Sequence, residues 1–305
     1  MSRARVTTAI ATLLGLSLAQ SLAAQESKFD PLIFEFDGGI AFQSNADLSD
    51  VDGSFSVNRW FVSMGVTYAW DRRNSLGLSV GGGGSKYDFD ELTGIGGGDP
   101  WNDIEDTRIT LTGRIGIGET GTLFLVPSAR YNGESDADTS EGRTWGMLAG
   151  AAWRLNENLT IGPGIGVFSR LENGARVFPV LVIDWKITDR WRLATGSGLA
   201  SSQGPGLTLS YELSEQWQFG LTSRFDNVEF RLDENGPTPN GIGKDESLPV
   251  LASAAWEPNR TLRLAAFAGL EFAGKLKLKD ASGNLLSESD YDPAPVFGAT
   301  FELKF

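Results

Sequence analysis

The chain has 305 residues, with 26 basic against 39 acidic side chains, a net charge of −13, and neither cysteine nor histidine. This acidic balance disfavours nucleic acid, whose binding needs a basic footprint. The missing residue types rule out disulfides, a Ser-His-Asp hydrolase site and a Cys–His pair, and leave only carboxylates for zinc, so neither enzyme activity nor a cofactor is expected.

The first 24 residues read as a secretory signal peptide. Arg3 and Arg5 form a basic start, Ala9–Leu22 a short apolar core, and Ser21-Leu-Ala-Ala24 a small-residue end. No later stretch approaches 18 continuous apolar residues, so no transmembrane helix is expected after it. Residues 25–305 then form one domain.

That domain reads as a series of segments with a period of two, bounded by turn residues. Leu32–Phe42 opens the series, with Leu32, Phe34, Phe36, Ile40 and Phe42 on one face. Asn58–Trp70 and Ser75–Tyr87 follow, then Thr107–Gly118, where Ile109, Leu111, Ile115 and Ile117 oppose Arg108, Thr110, Thr112 and Arg114. Thr122–Tyr131 and Thr144–Leu155 come next. Leu159–Arg170 and Arg176–Lys186 are weaker, because Pro163 and Pro179 each remove a ladder donor. Trp191–Leu199, Gly206–Leu213, Gln216–Leu232, Leu248–Trp256, Thr261–Leu278 and Ala294–Phe305 complete fourteen predicted strands, or twelve without the proline-bearing pair.

The connections alternate in length. Asp71–Asn74, Gly118–Gly121, Asn156–Asn158, Thr188-Asp189, Ser214-Glu215 and Glu257–Arg260 are short, whereas Gln43–Val57, Asp88–Asp106, Asn132–Arg143, Asp233–Ser247 and Lys279–Pro293 are predicted as long loops. Trp70, Trp153, Trp185, Trp191, Trp217, Trp256 and Phe305 all fall near the short-turn end, as expected of aromatics at a membrane interface. The expected fold is all-β: a transmembrane, antiparallel, up-and-down β-barrel with short turns on one side and longer loops on the other.

The last strand carries a further signature. Pro295, Phe297, Ala299, Phe301, Leu303 and Phe305 alternate with Gly298, Thr300, Glu302 and Lys304. Aromatics on the greasy face and a terminal Phe305 resemble the C-terminal strand of bacterial outer-membrane β-barrel proteins. The resemblance implies residence in the outer membrane of a Gram-negative bacterium, in contact with lipid bilayer and lipopolysaccharide. It also implies recognition of the last strand by the barrel-assembly machinery. It is with porin-like outer-membrane barrels of about 300 residues that have no assigned function.

Strand parity gives the expected lumen lining. The basic candidates are Arg59, Arg108, Arg114, Arg130, Arg154, Arg192, Arg224 and Arg263, and the acidic ones Glu35, Asp37, Glu212, Glu271 and Glu302. Facing charge inward avoids a penalty of about 2–4 kcal/mol per basic residue at the bilayer midplane. An apolar inward patch is expected at Phe124, Val126, Leu148, Phe178, Val180 and Val182. Fourteen strands lie between side-chain-filled eight-stranded barrels and open porins, so a narrow lumen for passage or binding of a small solute is expected. The other reading is a structural or surface-interaction barrel whose acidic outer loops matter more than its lumen.

Overall fold

The computed structural model describes residues 31–92, 99–172, 174–196 and 206–305. The expected signal peptide, and residues 197–199 of the ninth expected strand, lie outside them. All regular structure among the described residues is strand. The strands are β1 (Leu32–Asp47), β2 (Ser54–Ala69), β3 (Ser75–Asp90), β4 (Asp103–Ile117), β5 (Gly121–Glu134) and β6 (Arg143–Asn156). They continue with β7 (Leu159–Ser169), β8 (Ala175–Lys186), β9 (Trp191–Thr195), β10 (Gly206–Glu212) and β11 (Trp217–Arg224). The last are β12 (Asp226–Arg231), β13 (Ile242–Trp256), β14 (Leu262–Lys279), β15 (Leu285–Tyr291) and β16 (Ala294–Lys304).

Sequence-adjacent strands pair antiparallel except at β11–β12 and β15–β16, whose members share β13 and β14 as partners, and β16 pairs with β1, from Glu35↔Lys304 to Gln43↔Val296. The sheet is therefore closed and has no free edge, as a sheet in lipid must be. Because β11 and β12 run on from one another, as do β15 and β16, the sixteen segments make fourteen staves. The proline-bearing β7 and β8 are full members, with Pro163 opposite Leu181 and Pro179 opposite Ile165. Both prolines sit on the outward parity. The outer face carries exposed Phe34, Met64, Leu78, Leu111, Leu125 and Leu221, a greasy belt that only lipid would cover.

The short turns join the staves at one end. Asp71 accepts hydrogen bonds from the Arg73 and Asn74 amides, closing the turn between β2 and β3. The other end corrects the expected long loops. Most of Gln43–Val57 and Lys279–Pro293, both ends of Asp88–Asp106, and the last part of Asp233–Ser247 continue the strands. The period-2 pattern is lost there for a physical reason. Above the greasy belt the outer face is polar and the inner face packs on an apolar core, so the apolar parity inverts, and bulges in β1 between Gln43 and Ala46 and in β14 between Phe272 and Lys275 shift the side-chain parity. Within the second bulge, Ala273 takes the left-handed conformation (φ 50°).

These extensions do not keep the fourteen-stave circumference. Beyond Arg224 the chain leaves β10. As β12 it pairs with β13 on one side and, through the parallel bridge Arg231↔Gly133, with β5 on the other. The bridge Leu48↔Tyr291 links β1 to β15. The barrel thus narrows at this end to a ring of β12, β13, β14, β15, β1, β2, β3, β4 and β5, leaving β6 to β10 outside it. The ring is filled by a core containing Phe55, Tyr87, Trp101, Phe230, Leu276 and Tyr291. Trp101 enters from the β3–β4 connection, with ring centroids 5.2 Å from Phe230 and 5.9 Å from Tyr87. Gly243 and Gly274 lie directly under the rings of Phe230 and Tyr291, where a side chain would collide.

Candidate functional site: the lumen

Beneath the aromatic core lies a layer of buried charge. Register turns Arg59 on β2, Asp245 on β13 and Glu271 on β14 inward, below the point where the staves converge. Arg59 donates to Glu271 Oε1, Gln43 Oε1 and Asp245 Oδ2, each at 3.2 Å. Asp245 also accepts from the hydroxyls of Tyr87 (2.9 Å) and Tyr291 (3.0 Å), so two core aromatics have their polar ends in this layer. Such an array is tolerable in a low-dielectric interior because its opposite charges are hydrogen-bonded to one another.

Of the expected lining residues, Arg59 and Glu271 meet here. Arg224, close by, donates to Asp226 at 2.9 Å. Across the lumen Arg108 and Arg130 face each other on β4 and β5, and Arg130 pairs with Asp106. Arg108 is only 7% exposed. Asp37 accepts from Ser63 at 2.8 Å. Nearer the short turns, Glu35 pairs with Lys304, Arg192 with Asp184, and Arg263 with Glu257 and Gln218. Glu302 stands opposite Asp37 and Arg263 in the register. Arg114 is half-buried opposite Ser75 and Phe124, while Arg154 and Glu212 are exposed close to their turns. The charged candidates therefore occupy two levels of the interior, and most are paired.

The apolar patch is partly assembled. Phe124, Val126 and Val182 form a buried cluster with Ala152, and Leu148 packs against it. Phe124 lies over Gly150 and Gly164, whose missing side chains make room for its ring. Phe178 instead stacks on Phe168, at a centroid distance of 5.8 Å and an interplanar angle of 7°. The outer aromatics Trp70, Trp153, Trp185, Trp191, Trp217, Trp256 and Phe305 are all exposed, and Trp217 and Trp256 are direct cross-strand partners.

Sequence reasoning missed Gln43, Tyr87, Asp245 and Tyr291 as site residues. Asp245 fell in an expected loop, and Gln43 lies at a bulge where the parity changes. Unbroken inward parity was the available signal for Tyr87 on β3 and, had β13 been extended, for Asp245.

A family of unknown function, DUF6268, matches residues 147–288. No curated protein matches the chain. Among solved structures, an outer-membrane channel from Pseudomonas putida F1 is similar over 93% of this chain and 100% of its own, with 10% identity and a TM-score of 0.48. A FadL homologue from Pseudomonas aeruginosa covers 90% of each chain at 13% identity and a TM-score of 0.47. The translocator domain of the autotransporter NalP from Neisseria meningitidis covers 92% of this chain and 90% of its own, at 14% identity and a TM-score of 0.38. Likenesses this distant carry no information about cargo. The closed sheet, its greasy outer belt and its charged interior make the chain a transmembrane β-barrel of outer-membrane type.

Proposed function

We propose that the protein is an integral outer-membrane barrel that takes up a small solute into a narrow lumen and passes it when the aromatic core parts. In this reading residues 1–24 direct export and are removed, the long-stave end faces lipopolysaccharide, and the strand ending at Phe305 is read by the barrel-assembly machinery. The observation that carries the proposal is how the mouth is closed. Within the narrowed ring the mouth is closed by packed side chains, chiefly Trp101 from the β3–β4 connection and Phe230 from β12. A wider fourteen-stave bore lies beneath.

Single-channel recording in planar bilayers tests this. The native barrel is expected to give small or rare currents, and the double variant Trp101→Ala, Phe230→Ala larger and longer ones. Silence from both at every voltage would reject passage. That outcome would favour the second reading, a closed structural or surface-interaction barrel. The filled ring speaks for that alternative, as do the acidic residues Asp136, Asp138 and Glu141 in the β5–β6 connection.

A further inference from the structure

Below the charged layer is a small cavity whose walls include Phe61, Leu251, Phe267 and Val296, with Arg59 and Glu271 at one end. Glu271 is 3% exposed, and its Oε2 has no hydrogen-bond partner although Oε1 is bound by Arg59. Buried carboxylate oxygens are normally satisfied, so an orphan acceptor lining a cavity marks a place where a donor belongs. The protein's own cations do not supply it. Arg59 is spent on Gln43, Asp245 and Glu271, and Arg224 is held by Asp226. Three carboxylates, Asp226, Asp245 and Glu271, stand against these two guanidiniums, so a cationic donor fits better than a neutral one and an anion is repelled.

We propose that this cavity binds the ammonium end of a small amine, with Glu271 Oε2 accepting its N–H and the apolar body resting against Phe61, Leu251 and Phe267. This deepens the reading of the lumen as a solute site and rests on it. Binding does not require that the barrel conduct. Current without amine binding overturns this inference alone, and amine binding without current overturns passage alone.

Titration calorimetry on the full barrel in detergent micelles, with benzylammonium, benzyl alcohol and benzoate as probes, provides the test. Benzylammonium is expected to bind saturably at one site, at least tenfold more tightly than benzyl alcohol, with no heat from benzoate. Glu271→Gln is expected to weaken benzylammonium at least tenfold. Should that variant fail to fold, Ala41→Phe fills the cavity from β1 and is expected to abolish binding. Benzoate binding as tightly as benzylammonium, undiminished binding in either folded variant, or a site holding water with no affinity for any probe would each overturn the proposal.

Discussion

At the scale of single residues, glycines beneath aromatic rings decide whether the upper ring can be filled. Phe230 lies over Gly243 and Tyr291 over Gly274, so the ring side chain occupies the space a Cβ would take. Gly243→Val is therefore expected to displace Phe230 and destabilise the barrel by about 1–3 kcal/mol through overpacking. Denaturant titration in lipid vesicles reads this, and an unchanged midpoint would contradict the packing described. A second residue-scale device is Glu172, in the connection between β7 and β8. Burial is the largest single influence and raises its pKa, but the hydrogen bond from the Lys279 ammonium, a backbone hydrogen bond and the charges of Lys279 and Arg170 together outweigh it, so the net shift is downward. A depressed carboxylate contributes stability that is present above its unfolded pKa and lost as pH falls through the folded one. The protection factor of the Arg170 amide, which donates to the Gly174 carbonyl, is accordingly expected to be high at neutral pH and to fall on acidification below the ordinary glutamate range. Glu172→Gln should lower that protection already at neutral pH.

At the scale of elements, parity carries the argument. Leu111 and Thr112 are neighbours on β4 and point to opposite faces. Leu111→Arg places a charge in the lipid belt and is expected to cost about 2–4 kcal/mol near mid-membrane. Thr112→Arg faces the wet interior and is expected to cost less. Equal losses in vesicle unfolding titrations would mean that the faces are wrongly assigned. The same parity made the barrel legible in the sequence. Wherever lipid covers one face, as in β2 or β4, alternation is strict, and strand and orientation can be read together. Above the belt the apolar residues turn inward onto the aromatic core, so the alternation changes sense. The extensions of β1, β3 and β13 therefore resembled loops, and β15 was absorbed into one. The inward charges were legible for the same reason as the belt. Their grouping was not, because Arg59, Asp245 and Glu271 are brought together by register across staves far apart in the chain. The bridge from β12 to β5 leaves no sequence signal at all, since a single parallel pair imposes no pattern.

At the scale of the whole molecule, everything depends on closure of the sheet across the seam between β1 and β16. Phe34 and Phe305 exchange backbone hydrogen bonds at 3.0 and 2.9 Å there, at the short-turn end of the seam. A closed sheet with exposed Leu, Phe and Met outside and charge within is stable only where hydrocarbon covers the belt. The most direct measurement is refolding of residues 25–305 from denaturant into lipid vesicles and, in parallel, into plain buffer. Folding is followed by far-ultraviolet circular dichroism and protease resistance. The expected result is a protease-resistant β-sheet protein in vesicles and aggregation in buffer. A folded, soluble monomer in buffer without lipid or detergent would contradict the account.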